Sequence, residues 1–198
     1  MTDMLSEDAE DLPDDAGEAV RIVVREIDRL RVLVEHLIEI SRFDAGAATL
    51  RRETVDVGDT LADCLEVRGW ADRVKLTVPV GLTFSLDARR FDVIVANLVG
   101  NAVNHGAPPV VVSARVAVGG ENHGALEVTV RDHGSGIPEQ ALPHVFDRFY
   151  KAGTDRARSV GSGLGLAIAK ANAELHGGAI TAERCDPGTL FRVWIPKP

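Results

Sequence analysis

Several things are scarce in this sequence, and each scarcity removes a class of function. No run approaches the roughly 20 unbroken apolar residues of a membrane span, so the expectation is a cytoplasmic chain that makes no membrane contact itself. The opening MTDMLSEDAEDLPDDAGE is acidic and reads as neither a signal nor a transit peptide. Cysteine occurs only at Cys64 and Cys185, far apart and at no metal spacing, which excludes a disulfide framework or a cysteine-held zinc site. Positive charge is short. The net charge is -8 and the isoelectric point about 5.2, which argues against nucleic acid as a partner. Lysine contributes only 4 of the 22 basic residues, a sign of a GC-rich genome and not of chemistry. No GxxxxGK[ST] is present, and Glu139 and Leu166 stand where a GxGxxG would need its third glycine. The two commonest nucleotide cradles are therefore excluded.

The 198 residues, 45% hydrophobic and 26% charged, have the composition of a globular domain plus an extra element. Seven acidic residues and no Lys or Arg stand in residues 1–16, so an acidic head precedes a nearly neutral body. Over 17–43, Val20, Val23, Ile27, Leu30, Val34 and Leu37 recur at alternating steps of three and four. That is a heptad seam. Val24, Leu33, Ile38 and Ile40 widen it to the face a bundle helix needs. Residues 44–57 lack a helical period and read as a linker, with Asp59 or Thr60 as the cap of a short helix to Val67. VKLTVPV and LTFSL read as strands around Pro79–Gly81, and ARRFDVIVANLVGNAVNHG as a helix ending at Gly106. VVVSARVAV and ALEVTVRD read as strands, GLAIAKANAELHG as a helix, and AITAERC and TLFRVWIP as closing strands. The expected fold class is α+β, a two-layer sandwich of a mixed, mostly antiparallel sheet with helices on one face, preceded by the long helix.

Four clusters carry chemistry. Asp132-His133-Gly134-Ser135-Gly136-Ile137 sits at a strand end, and Gly161-Ser162-Gly163-Leu164-Gly165-Leu166 opens a helix. Glycines just before a helix leave backbone N–H groups aimed at an anion. Asn97, Asn101, Asn104 and His105 fall three or four apart on one helix face. Asparagine is a poor helix former, and its amide oxygen is a hard ligand suited to Mg²⁺. Phe146-Asp147-Arg148-Phe149-Tyr150-Lys151 is aromatic and basic ahead of a variable stretch.

Together and in this order the four clusters resemble the N, G1, F and G2 boxes of the ATP-binding domain of sensor histidine kinases, in the gyrase–Hsp90–kinase–MutL ATPase superfamily. The resemblance covers 58–198 as the catalytic domain. Helix 17–43 with Ser41-Arg42-Phe43-Asp44 resembles the second helix of that family's dimerisation domain, and RFDAGAATL, NLVGNAV and VFDRFYKA are similar to actinobacterial MtrB-like kinases. The resemblance implies a two-layer ATP-binding sandwich and ATP and Mg²⁺ as cofactors. It implies that Asn101 coordinates Mg²⁺, that Asp132 accepts from the adenine amino group, that Gly134 and Gly136 admit the base, and that Ile137 packs near it. Asn97, Asn104, His105, Phe149 and Tyr150 complete the implied ATP site. Residues 147–163 form a lid hinged by Gly161, Gly163 and Gly165, whose N–H groups, with Leu164 and Leu166 at the helix start, meet the phosphates. Lys151, with Arg148, Arg156 or Arg158, adds positive charge.

Two departures matter. Many family members carry Lys where Asn104 stands and an aromatic at His105. Asn97 stands where hydrolysing relatives have a Glu base, and an amide cannot serve as that base, which favours phosphoryl transfer over hydrolysis. The family's phosphoacceptor is a histidine in an H box. None of His36, His105, His123, His133, His144 and His176 has that context, and His36 reads as a bundle-surface residue. The expectation is a truncated kinase whose acceptor lies on an H-box-bearing dimerisation domain, reached as a homo- or heterodimer through 17–43, with a response regulator downstream. The acidic head then reads as the remnant of the helical-hairpin turn. A non-enzymatic ATP-binding module that modulates a full-length kinase fits the same residues. An anti-sigma-type serine kinase is the third reading, and helix 17–43 argues against it.

Overall fold

Apolar residues at steps of three and four build the first helix. The computed structural model describes residues 14–119, 122–151 and 162–198. In it helix α1 runs Asp14–Asp44. Along it Ile22, Val23, Ile27, Leu30, Val34, Leu37 and Ile38 are exposed. The chain divides into two compact units, Met1–Asp44 and Ala45–Pro198. Most of the acidic head lies outside the described residues.

The second unit begins with a correction. The segment expected to be a plain linker contains strand β1, Glu53–Asp56. β1 pairs antiparallel with β3, Thr83–Leu86. Helix α2, Val57–Val67, starts where β1 ends, and its cap is Asp56, one turn before the expected Asp59 or Thr60. The Asp56 carboxylate accepts from Gly58 N (2.8 Å) and Asp59 N (3.1 Å), an arrangement worth about 1 kcal/mol. The Thr60 hydroxyl instead donates to the Asp56 carbonyl at 2.7 Å.

Strand β2 (Val74–Thr77), β4 (Val110–Val116), β5 (Leu126–Arg131), β6 (Ala179–Arg184) and β7 (Thr189–Ile195) form a sheet ordered β2-β4-β5-β7-β6. Only β2–β4 is parallel; the other pairs are antiparallel. β2 and β3, read as two short strands around Pro79–Gly81, lie in different sheets. Side chains alternate across a strand, and alternate residues Val110, Val112 and Ala114, Leu126, Val128 and Val130, and Phe191, Val193 and Ile195 are buried. They meet α2, α3 (Ala88–His105) and α4 (Gly165–Leu175) through Leu61, Phe91, Ile94, Val95, Leu98, Ala169 and Ala173 in one core. Each of the Val, Leu, Ile and Phe side chains contributes about 1.5–3 kcal/mol of burial, and the alanines less. Arg68 links α2 to α3 with two bonds to Asp92, 2.9 and 2.7 Å. Burial, with Asp92 alongside, pushes the Cys64 thiol up to about 12, so it stays protonated and inert.

Candidate functional site

Asp132 follows the last residue of β5 and is 3% exposed. Three glycines surround it. A methyl group at Gly106 would stand 2.6 Å from its Cγ, and one at Gly134 3.1 Å from its Oδ1. One at Gly188 would collide with its carbonyl oxygen. Its Oδ1 accepts from Gly134 N at 2.8 Å, and its own N–H donates to the Thr189 carbonyl at 3.0 Å. Oδ2 has no hydrogen bond among the described residues. A carboxylate only accepts, so the site presents one fixed acceptor. His133 anchors the loop beyond α3, through its N–H to the Ala107 carbonyl (2.9 Å) and its Nδ1 with the Pro109 carbonyl (2.7 Å).

Helix α3 connects this carboxylate to the second glycine loop. Gly106, at its C-terminal end, abuts Asp132. Asn97 donates Nδ2 to the Val93 carbonyl at 2.8 Å, which turns its Oδ1 towards Gly165, where an added Cβ would collide with it. At 1.5 Å per residue, Asn97 and Gly106 stand about 14 Å apart along the helix. Between them Asn101 is half-buried, and its amide makes no hydrogen bond among the described residues. Asn104 and His105 are exposed in the last turn. The C-terminal half of α3 thus runs like a rail, with one glycine loop at the helix end and the other beside the helix middle.

The start of α4 has no side-chain cap bond. Leu164 N reaches only the Ser162 hydroxyl, at 3.3 Å, while Leu164 itself is fully buried. Gly163 has φ +71, and a Cβ there would stand 2.9 Å from the Phe149 carbonyl carbon and the Tyr150 oxygen. Phe149 N donates to the Gly163 carbonyl at 2.9 Å. Phe149 is 62% exposed and adopts φ 63, alone in positive φ among the described non-glycine residues. Strain of that kind persists where surroundings over-determine it. The two ends of the expected lid are therefore clamped to each other.

The far ends of α3 and α4 are also joined. Asp87 caps α3 through Arg90 N (3.1 Å) and accepts from Arg51 N (2.8 Å). Asp87 N donates to His176 Nε2 (3.1 Å), so the His176 proton sits on Nδ1 and goes to the Asn172 carbonyl (2.8 Å). Arg90 donates to Asn172 Oδ1 (2.9 Å) and to the Thr49 carbonyl (3.0 Å). Arg52 donates to the His176 carbonyl (2.8 Å).

Residues 86–198 match the family described as histidine kinase-, DNA gyrase B-, and HSP90-like ATPase. The chain belongs to that family. Over its whole length it is 48% identical to the signal transduction histidine-protein kinase AfsQ2 of Streptomyces coelicolor, spanning 38% of that protein. It is 35% identical over 98% of its length to the sensor histidine kinase MtrB of Mycobacterium tuberculosis, spanning 35% of it. In structure it superposes on full-length ShkA, solved in complex with AMPPNP, with TM-score 0.73 and 25% identity, covering 93% of this chain and 39% of that one. The sequence resemblance to sensor histidine kinases is thus shown, and AfsQ2 exceeds the MtrB-like kinases in identity.

Within this ATPase fold, Asp132, Gly134 and Gly136 form one loop, and Ile137 packs on the core. Leu166 also packs on the core, and Tyr150 stacks at 5.7 Å on His144. Arg148 is exposed and Lys151 half-buried beside the clamp. Gly161, Arg156 and Arg158 lie outside the described residues. Among the described residues no group of three or more His, Cys, Asp and Glu could hold a metal, so a cation here would depend on the Asn101 amide, water and a ligand's own oxygens. Sequence reading missed Gly106, Gly188 and the Asp87–His176 network. PGT between two strands was the available signal for Gly188; nothing in the spacing signalled its approach to Asp132.

Proposed function

We propose that the chain is the ATP–Mg²⁺-binding catalytic portion of a two-component sensor histidine kinase. It passes the γ-phosphoryl group to a histidine on an H-box-bearing dimerisation domain. The observation that carries this reading is helix α3, whose C-terminal end abuts the buried Asp132 carboxylate and whose middle meets the uncapped start of α4. Such a rail accommodates a nucleotide laid along it, base on Asp132 and phosphates towards Gly163–Leu166. The Asp132 carboxylate accepts from the adenine amino group. Backbone N–H groups at the start of α4, with Lys151 and Arg148, receive phosphate oxygens. Asn101 would supply an amide oxygen to Mg²⁺, and the ion, when bound, would offset the negative charge of the phosphates.

In the transfer, an imidazole nitrogen of the acceptor bonds to the γ-phosphorus, the bond from phosphorus to the bridging oxygen breaks, and ADP leaves with the electron pair. The imidazole proton passes to solvent. Asn97 supplies no base for water, and its amide is already bonded to its own helix, in keeping with transfer over hydrolysis. The 198 residues contain no H box, so the acceptor lies outside them, and a response regulator receives the phosphoryl group next.

A titration with a fluorescent ATP analogue tests the binding claim. Affinity should require Mg²⁺ and fall by roughly a hundredfold in Asp132→Asn or Asn101→Asp; binding that survives both substitutions overturns the roles. Radiolabelled ATP with an added H-box domain should place acid-labile label on that domain alone. Label on this chain would show an acceptor within it.

A further inference from the structure

The turn between β6 and β7 lies directly beneath the adenine-facing loop. Its contacts are close on both sides of Gly188. The Gly188 α-carbon faces Asp132 and His133: an added Cβ would collide with the Asp132 carbonyl oxygen and stand 2.8 Å from the His133 Cα. The Gly188 carbonyl oxygen faces the other glycine of the loop, 2.8 Å from where a Cβ of Gly136 would be. That same oxygen accepts from Cys185 N at 2.8 Å, which closes the turn. The next residue, Thr189, receives the Asp132 N–H at 3.0 Å. Gly188 has φ +101, a conformation that side chains rarely adopt.

We propose that the 185–189 turn is a positioning element for Asp132, and that through Gly188 it sets the preference of the site for adenine over guanine nucleotides. The inference rests on the reading that Asp132 receives the base. Oδ1 is committed to Gly134 N, so discrimination falls to Oδ2. Adenine offers an amino donor where guanine offers a carbonyl acceptor. A fixed acceptor rewards the first and repels the second. A carboxylate free to swing away discriminates poorly, because a site rejects the wrong partner only as firmly as its polar groups are held. On the side-chain side Gly134 N–H bonds Oδ1 and Gly106 packs against Cβ and Cγ, while the turn accepts the backbone N–H and packs against the carbonyl.

The test separates positioning from simple destabilisation. Gly124 has φ +82 with nothing within 4 Å of an added Cβ, so Gly124→Ala brings backbone strain without a collision. The full chain, Gly124→Ala and Gly188→Ala are titrated with fluorescent ATP and GTP analogues and melted in parallel. Both variants should melt lower. Only Gly188→Ala should lose ATP affinity, by roughly tenfold to a hundredfold, with a smaller change for GTP, so that the ATP-to-GTP preference narrows. An unchanged preference in folded Gly188→Ala overturns the inference and leaves the ATP reading standing. Wild-type chain that binds neither nucleotide overturns that reading, and the inference with it. Should Gly188→Ala not fold, hydrogen exchange on wild-type chain decides: ATP should slow exchange over 130–136 and 184–190 together, and protection of the first without the second overturns the proposal.

Discussion

His176 is neutral because of what its two nitrogens do. Nε2 accepts from Asp87 N and Nδ1 donates to the Asn172 carbonyl, so a second proton would break the first bond. Burial lowers its pKa below the ordinary 6.5, the Asn172 carbonyl and Asp87 oppose that, and Arg52 and Arg90 add to it. The sign follows. Above 6.5 neither state gains a proton and stability is full. As pH falls below 6.5 the unfolded chain takes the proton first, and stability declines until the lower folded-state value is passed. Asp87 adds a separate loss further down. Burial would raise its carboxyl, but the Arg51 and Arg90 N–H groups and the Arg90 charge hold it below 3.8. Urea unfolding between pH 7 and about pH 5 should therefore show falling stability in wild-type chain and a shallower fall in His176→Gln, while a slope equal to wild type would remove His176 as the cause. No sequence rule pointed to this histidine, because two of its partners, Arg52 and Asp87, come from distant segments.

Where α3 crosses the start of α4, one amide and one glycine share the space. Gly165→Ala forces a Cβ onto Asn97 Oδ1 and should cost about 1–3 kcal/mol of overpacking. Asn97→Ala removes the obstacle, so the double variant should recover much of that loss. A double-mutant cycle by chemical denaturation measures the coupling, and additive losses would show that the two residues do not meet. Helices α1 and α3 and the strands β4, β5, β6 and β7 were legible because their apolar periods are unbroken. β1 was not: its four residues, ETVD, are half-exposed, and its partner β3 is some thirty residues away. The parallel partner of β2 was hidden for the same reason, since β4 lies more than thirty residues further on. The glycine loops and the asparagine stripe were legible as motifs, whereas the convergence of Gly106, Gly134 and Gly188 on one carboxylate exists only after folding.

The chain as a whole pairs a self-sufficient ATPase unit with a helix that is not. Residues 45–198 enclose their own core, whereas α1 leaves Ile27, Leu30, Val34 and Leu37 between 43% and 59% exposed. A helix of that kind gains most of its stability from packing against partners. Sedimentation should find the chain associated at micromolar concentration, and Leu30→Glu should shift it to monomer while ATP affinity stays within about twofold. A wild-type monomer would remove the dimerisation role of α1. The 149–163 clamp has a separate consequence. Because Phe149 N–H closes directly on the Gly163 carbonyl, the intervening span begins and ends at one fixed point. Doubling the length of such a loop adds only about 0.6 kcal/mol of closure entropy. Length changes between Phe149 and Gly163 therefore cost the fold little.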